Sequence, residues 1–289
     1  MPDSDRPRVL LLANTSRPPI ADVVEELKGG ISDHAQIVCE LPADDAPLPG
    51  DLNIDLAIAV GGDGTLISQS RRLLETGLPL VGVNVGRLGF LAEFDVADLI
   101  GQAELIFGPN PPVREHMLLS ARVIGPDGSL LHEDIALNDC VVSNGEPFRM
   151  IELGLSVDDQ VGPILTGDGV IVATPIGSTA YNVSAGGPIV HRDENAIIIT
   201  PLAAHSLAFR PIVIGADSVL RIKMLRTIPG TVLVSDGRIS AKLAEGQTVT
   251  IQRHTKRARI VDNPSTSYWN ILMDKMRWAA PPTYRDRGG

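Results

Sequence analysis

LAIAVGGDGT, from Leu56 to Thr65, is the stretch that decides the fold of the first part of the chain. Its five leading apolar residues predict a strand that is buried on both faces, as strands of parallel sheets are. The glycines that follow leave backbone N–H groups uncovered by side chains. Thr65–Leu74 then places apolar residues at helical spacing. The stretch therefore predicts a strand, a tight loop and a helix, in that order.

The same alternation of strands and helices surrounds this stretch. Gly29 and Gly30 are expected to end the first helix, since glycine is a common helix terminator. Such alternation predicts a parallel sheet with helices on its faces. The other predicted strands are Val9–Ala13, Gln36–Leu41 and Leu80–Val83, and the other predicted helices are Ile20–Leu27 and Val96–Ile106.

The stretch Gly108-Pro109-Asn110-Pro111-Pro112 marks the predicted domain boundary, because consecutive prolines neither continue a helix nor donate to a sheet. Short strand patterns and tight turns beyond it predict an all-β sandwich. The predicted strands are Leu118–Ile124, Leu130–Leu137, Cys140–Ser143, Ile151–Val157, Val170–Ala173, Ile197–Thr200, Val219–Met224, Thr231–Val234, Thr248–Gln252 and Arg259–Val261.

The pattern becomes helical again at Ser267–Trp278. We therefore predict an α/β domain with a parallel sheet over residues 1–110 and a β-sandwich domain over residues 111–262. Residues 263–289 are predicted to form a helical tail that returns to pack on the first domain.

Composition excludes several classes of function. The chain has 289 residues, of which 44% are hydrophobic and only 3% aromatic, so its cores must be mainly aliphatic. The net charge is -10, and the sequence shows no basic stripe of the kind that a protein binding duplex nucleic acid usually carries. The densest basic run, Arg253–Arg259, is interpreted as a solvated strand edge, and Arg71 and Arg72 are expected to be solvated as well.

Cysteine usage and hydropathy indicate the compartment. Cys39 and Cys140 form no metal-binding or disulfide pattern, which fits a reducing environment. The polar N-terminus has no secretion signal, and no apolar run is long enough to span a bilayer. We predict a cytoplasmic protein without a membrane or nucleic-acid partner.

The glycine-rich loop is the first candidate for chemistry. Its free N–H groups, at the N-terminal end of a helix, suit phosphate oxygens. Asp63 would repel phosphates unless a metal bridges the two or the carboxylate accepts a proton, and either role belongs to phosphoryl transfer. The plainer alternative is a tight strand-to-helix turn with an acidic cap. The Gly-Lys-Ser/Thr ending of a Walker motif is missing.

The second candidate is the run from Thr166 to Pro188, TGDGVIVATPIGSTAYNVSAGGP. It combines an acid, a buried strand, a turn rich in Gly, Ser and Thr, and a segment with hydroxyls and an aromatic ring. These groups could line a pocket for a polar aromatic ligand such as a nucleotide. Ordinary turn chemistry would equally explain them.

Both stretches resemble parts of one kinase superfamily. GGDGT is similar to the loop shared by NAD kinases, diacylglycerol and sphingosine kinases and, more distantly, phosphofructokinases. The second run resembles the NAD kinase signature DGxxxxTPTGSTAYxxSAGGP, which lipid kinases do not share. Ile176 departs from it, since the family usually has Thr there.

Further segments agree with the NAD kinase family. Gly82–Leu91 is similar to GxNxGxLGFL, and Asn138-Asp139 stands where the family has a nucleotide-binding pair. His205–Pro211 and Ser235–Arg238 match later motifs, although Arg238 replaces a common Gln. The resemblance extends from about Val9 to about Arg238.

The resemblance implies a kinase that phosphorylates the adenosine-ribose 2′-hydroxyl of NAD, with ATP or polyphosphate as donor and Mg or Mn as divalent metal. It implies that Asp63 is the general base, that residues 111–262 bind NAD, and that the protein is a homodimer or homotetramer in which a neighbour completes the pocket. The implied site residues are Asp63, Gly64, Asn138, Asp139, Arg149, Thr166, Asp168, Thr179, Ala180, Tyr181, Asn182, Ser184 and Arg238.

Two alternatives remain open at the level of sequence. A lipid kinase of the same superfamily would share the chemistry of Asp63 but would need an apolar acceptor pocket. A non-catalytic dinucleotide sensor would keep the pocket without turnover, although it would have no need of Asp63.

Overall fold

A computed structural model describes residues 6–50, 53–86 and 89–277. The chain divides into two compact units. The first comprises the described parts of Met1–Gln69, Leu78–Arg114 and Ile260–Gly289, and the second comprises Ser70–Gly77 and Glu115–Arg259. Among the described residues, no helix is long and apolar enough to cross a membrane.

The helices are α1 (Pro18–Ile31), α2 (Asp63–Arg72), α3 (Val96–Gly101), α4 (Ala103–Ile106), α5 (Tyr181–Ser184) and α6 (Tyr268–Met276). The strands are β1 (Arg8–Ala13), β2 (Gln36–Leu41), β3 (Leu56–Val60), β4 (Leu80–Val83), β5 (Val113–Ile124), β6 (Leu130–Ala136), β7 (Asp139–Ser143), β8 (Ile151–Val157), β9 (Gln160–Gly167), β10 (Gly169–Ala173), β11 (Ala196–Leu202), β12 (Ile212–Gly215), β13 (Leu220–Arg226), β14 (Val232–Ser235), β15 (Arg238–Lys242) and β16 (Thr248–Val261).

The first unit contains the predicted parallel sheet. Its strands lie in the order β2-β1-β3-β4, and each neighbouring pair is parallel. Ile260, near the end of β16, pairs in parallel with Leu80 of β4. Strand β3 is buried along its whole length, as its continuous apolar sequence predicted. The helix α6 belongs to this unit and buries Ile271 and Leu272, whereas Trp278 lies outside the described residues.

Helix α1 differs from the prediction at its C-terminal end. It continues through Gly29 and Gly30 to Ile31. A Cβ atom built on Gly30 would lie 2.1 Å from Cδ1 of Ile100 in α3, so the missing side chain lets the two helices approach closely. Gly30 therefore serves packing rather than termination, whereas a Cβ atom on Gly29 would meet nothing within 4 Å. The predicted helix Val96–Ile106 is interrupted at Gln102, which separates α3 from α4.

The second unit is the predicted antiparallel sandwich. One layer contains β16, β13, β8 and β9 in that order, with β5 pairing β16 and β6. The other layer has the order β12-β11-β10-β7-β14-β15. Their inward side chains share one aliphatic core, in which Leu153 and Ile222 of the first layer are clustered with Val142 and Val172 of the second.

The strand predictions for this unit were incomplete. Strands β9, β12 and β15 were not predicted, because β9 contains Gly162 and Pro163 and the other two are short and largely exposed. Strand β16 is continuous where two strands were predicted. Its basic side chains have partners at the surface, including a 2.5 Å ion pair between Arg253 and Asp217.

Candidate active site

Asp63 is the first residue of α2, so this helix begins two residues before the predicted Thr65. Its carboxylate accepts hydrogen bonds from the backbone N–H groups of Phe90, Leu91 and Ala92. The Phe90 N–H lies 2.9 Å from Oδ2, and those of Leu91 and Ala92 each lie 3.0 Å from Oδ1. Among the described residues, the amides that bind the carboxylate therefore come from the segment after β4 and not from the glycine-rich loop.

This bonding fixes the orientation of the Asp63 carboxylate and leaves it able to accept another donor. Each carboxylate oxygen has two acceptor sites. Oδ1 fills both, whereas Oδ2 accepts one hydrogen bond among the described residues, which exclude Arg87 and Leu88. Oδ2 can therefore accept a hydroxyl proton donor without giving up its present partner.

Glycines make room for this arrangement. A Cβ atom on Gly89 would lie 1.9 Å from Oδ1 of Asp63, so only glycine allows the carboxylate to approach. Gly62 and Gly64 are exposed, and a Cβ atom on either would meet nothing within 4 Å. The backbone at Gly62 and Gly64 is thus open to a ligand, as the sequence predicted for the loop.

A separate cavity of about 350 Å³ lies on the outer face of β7 in the second unit. Strand alternation explains its lining: Cys140 and Val142 face the core between the layers, and Asp139, Val141 and Ser143 point to the opposite face of the sheet. The cavity is lined by Asn138, Asp139, Val141, Ser143, Ala180, Tyr181, Val234, Asp236 and Gly237. Of the predicted site residues, it therefore brings together Asn138, Asp139, Ala180 and Tyr181.

Asp236 is the most important lining residue that the sequence analysis did not propose. It forms the β14–β15 turn with Gly237, and both have positive φ, 46° and 77°. These angles suit a two-residue hairpin turn, for which Asp-Gly is a known signal. Its Oδ1 accepts the N–H groups of Asn138 at 2.7 Å and Asp139 at 3.3 Å, and its Oδ2 that of Leu137 at 2.9 Å.

The electrostatics of the cavity centre on two neighbouring acids. Burial, followed by repulsion from Asp236, raises the pKa of Asp139 to about 7, although a hydrogen bond from the backbone of Tyr181 opposes the rise. Burial also raises the pKa of Asp236, against the lowering effect of its backbone hydrogen bonds. Asp139 therefore exchanges a proton close to neutral pH, where it can either donate or accept a hydrogen bond.

The segment Thr174–Gly177 holds Asn138 in place. Thr174 Oγ1 donates a hydrogen bond to the carbonyl oxygen of Leu137 at 2.6 Å, and the Thr174 N–H donates to that of Asn138 at 2.9 Å. A Cβ atom on Gly177 would lie 2.0 Å from the same Asn138 oxygen. The turn rich in Gly, Ser and Thr is thus packed directly against the nucleotide-binding pair that the resemblance implies.

The structure places Asn182, Thr179, Ser184 and Arg238 outside the lining of this cavity. Asn182 is fully buried, and its Nδ2 donates to the carbonyl oxygens of Ser178 and Pro188, each at 2.9 Å. Thr179 Oγ1 donates to Ile176 at 3.2 Å. Ser184 and Arg238 are exposed.

Arg149, Thr166 and Asp168 do not line the cavity, and a second group is formed by Asp168, the Arg149 backbone and Thr166, which precedes Asp168 by two residues. Strands β7 and β10 pair Asp139 with Ala173 and Ser143 with Gly169, so Asp168 lies at the opposite end of β7 from Asp139. Five strand residues correspond to a separation of about 13 Å. Asp168 Oδ1 accepts the Nδ2 group of Asn144 at 2.9 Å, whose other hydrogen bond reaches the Arg149 carbonyl at 3.3 Å.

The described residues contain no group of three His, Cys, Asp or Glu side chains that could hold a metal ion. The chain's own described residues therefore do not fit an all-protein metal cage. Mg²⁺ that accompanies a nucleotide is usually held by phosphate oxygens, water and one or two carboxylates.

Comparisons with known proteins agree with this geometry. Residues 47–110 match the family described as ATP-NAD kinase N-terminal domain, and residues 137–263 match the ATP-NAD kinase C-terminal domain. An NAD kinase of Desulforamulus reducens is 40% identical over 77% of each chain. An NAD kinase of Rhodopirellula baltica is 32% identical over 94% of this chain and 87% of the relative.

Solved structures show the same fold. Yeast NADH kinase complexed with NADH superposes with a TM-score of 0.81 at 21% identity, over 95% of this chain and 88% of the other. An NAD kinase from Archaeoglobus fulgidus in complex with ATP gives a TM-score of 0.74 at 25% identity, over 93% and 98% of the two chains.

Fold, acid and cavity, taken with these matches, define a phosphotransferase enzyme. The chain belongs to the NAD kinase family. Family membership confirms the resemblance on which the sequence analysis depended. It also decides against the lipid kinase and the non-catalytic sensor.

Proposed function

We propose that this protein transfers the terminal phosphoryl group of ATP to the 2′-hydroxyl of the adenosine ribose of NAD, giving NADP, with Asp63 as the general base. The observation that carries the proposal is the second acceptor site on Oδ2, unused by any residue that the structure describes, of a carboxylate that three backbone N–H groups hold in place. A fixed carboxylate needs little reorganisation when the hydroxyl loses its proton. Open backbone at Gly62 and Gly64 would receive phosphate oxygens.

The cavity on β7 would hold part of the dinucleotide. Tyr181 is half exposed and offers a ring face for stacking, while Asn138 and Asp139 offer donors and acceptors for ribose hydroxyls or a base edge. NAD kinase relatives that match most of the chain support this role. The remaining predicted residues do not line the cavity, and we propose that they shape its surroundings or contact the ligand once it is bound. They are Thr179, Asn182, Ser184 and Arg238.

The second group, Arg149, Thr166 and Asp168, requires a separate explanation. We propose that it contacts the dinucleotide bound by another copy of the chain, in a homodimer or homotetramer. Its position at the far end of β7 from Asp139 supports this proposal. Light scattering coupled to size exclusion would measure the mass in solution, and a monomer at working concentration would contradict it.

The remaining features of the reaction are also proposals. Mg or Mn would enter with the phosphates of the donor and neutralise their charge. ATP is the proposed donor, with polyphosphate as an alternative, and the cytoplasm is the proposed location. An NADP-forming assay with each donor and each metal would distinguish these cases.

Asp63→Asn tests the central role. We expect a loss of about a hundredfold to ten-thousandfold in kcat, the range for removing a general base. Because the new amide nitrogen would face one of the donating N–H groups, the melting temperature and NAD binding by calorimetry should be measured alongside. Asp22→Asn, an exposed change on α1, is the matched control. Turnover near the wild-type rate in a folded Asp63→Asn variant would show that another group is the base.

A further inference from the structure

Arg71 has an environment that its sequence position did not indicate. It lies in the last turn of α2, where solvation was expected, yet only 8% of its side chain is exposed. Its Nη1 lies 3.4 Å from Oδ2 of Asp236, whose side chain has no exposed surface. The expectation was wrong because the helix end is covered by the β14–β15 turn of the same unit. A buried pair of this kind is costly to break from one side.

The partner of Arg71 organises the start of β7. The Asp236 carboxylate accepts the successive N–H groups of Leu137, Asn138 and Asp139. In return, the Asp236 N–H donates to the carbonyl oxygen of Asp139 at 3.0 Å. The backbone that carries the Asn138 and Asp139 side chains is therefore bonded from both directions by one residue of the turn.

We propose that Arg71 is a positioning residue for the nucleotide site, which acts through Asp236 to hold Asn138 and Asp139 at the cavity. The inference rests on the proposed function, because it takes this cavity as the place where part of the dinucleotide binds. Arg71 itself does not line the cavity. Its effect on the reaction is therefore indirect.

The charge of Asp236 explains how Arg71 can act at a distance from the cavity. Three amide donors and one guanidinium together compensate a carboxylate that water does not reach. Without the guanidinium, the carboxylate is favoured to take up a proton or to turn away, and either change removes an acceptor from the amides. The backbone at Asn138 is then held less firmly. Weaker positioning of these two side chains should therefore weaken the binding of NAD, while the group that takes the proton is unaffected.

The test compares Arg71→Met and Arg71→Lys with Arg221→Met, which removes a more exposed arginine paired with Asp159. Steady-state kinetics and calorimetry with NAD give KM, kcat and binding. We expect Arg71→Met to raise KM for NAD about tenfold with kcat per folded enzyme within about twofold of wild type. Arg71→Lys should recover part of the loss, because it keeps the charge without the planar fork. Arg221→Met should match wild type.

A double variant separates positioning from stability. Arg71→Met with Asp236→Asn removes both charges, so the buried uncompensated charge disappears and the melting temperature should rise above that of Arg71→Met. Part of the rise in KM should remain, because Asp236→Asn keeps only one acceptor oxygen and turns an NH2 group toward one of the three N–H donors. A KM that returns to wild type together with the melting temperature would overturn the proposal.

Asn138→Ala distinguishes failure of this inference from failure of the proposed function. If Asn138→Ala binds NAD as wild type does, the cavity is not the dinucleotide site and the proposed function fails there. If Asn138→Ala weakens NAD binding by about tenfold or more and Arg71→Met does not, only the role of Arg71 is wrong.

Discussion

The position of the Asp63 carboxylate depends on Gly89, a residue outside the glycine-rich loop. In Gly89→Ala, the new methyl group would overlap Oδ1 of Asp63, so the carboxylate or the segment Phe90–Ala92 must move. We expect kcat to fall about a hundredfold while NAD binding changes little. Gly101→Ala is the control, since a Cβ atom there meets nothing within 4 Å. Equal kcat values for the two variants would show that the position of Asp63 is not limiting.

Asp139 makes stability depend on pH. Because its folded pKa is about 7, well above its ordinary value of 3.8, the folded protein retains a proton that the unfolded chain releases. This term therefore lowers the free energy of unfolding as pH rises from about 4 to about 7. Asp139→Asn should remove this pH dependence. The free energy of unfolding of the variant should therefore rise relative to that of wild type by a few kcal/mol between about pH 4 and about pH 7. Urea unfolding at several pH values measures the difference, and parallel curves would contradict the assignment.

Sequence motifs identified part of the site, and the missing part has a physical reason. Asn138, Asp139 and Tyr181 were predicted from motifs that resemble those of NAD kinases, and they do line one cavity. Arg71 and Asp236 were not, because their ion pair joins residues 165 positions apart in the chain. The residues next to an arginine in the chain do not show whether its side chain is buried or exposed. Only the tertiary structure distinguishes them.

The segment around α5 depends on one buried amide group. Asn182 donates to the carbonyl oxygens of Ser178 and Pro188, and its Oδ1 accepts the Thr200 hydroxyl at 2.6 Å. Asn182→Ala leaves these buried groups without partners, so we expect a loss of about 2–4 kcal/mol in the free energy of unfolding. Ser184→Ala, an exposed change in the same helix, should leave that free energy unchanged. Chemical denaturation compares the two, and similar values would show that Asn182 is replaceable.

Elements with continuous apolar patterns were predicted well, and elements that depend on pairing were not. Strands β3 and β8 have the predicted ends. Strand β9 was missed because its first five residues are exposed and its order comes from pairing with β8. Helix α1 extends beyond its predicted end because Gly30 packs closely against Ile100 of α3. In each failure a tertiary contact overrides a local preference.

At the scale of the whole molecule, the proposed function predicts that NAD stabilises the folded chain. A ligand present at one hundred times its Kd contributes about 2.7 kcal/mol if it binds only the folded state. We expect NAD to raise the melting temperature of wild type and to have much less effect on Asn138→Ala at the same concentration. Scanning calorimetry measures both. A rise of the same size in the two proteins would indicate that NAD binds elsewhere.

The two-residue turn between β14 and β15 also limits how the protein can be engineered. Asp236 and Gly237 line the cavity, so an affinity tag, a cleavage site or new chain termini introduced there would disturb the start of β7. The turn at Pro126-Asp127-Gly128 between β5 and β6 is exposed and does not line this cavity. Of these two hairpins, the β5–β6 turn is the one to cut or extend when a functional fusion is wanted.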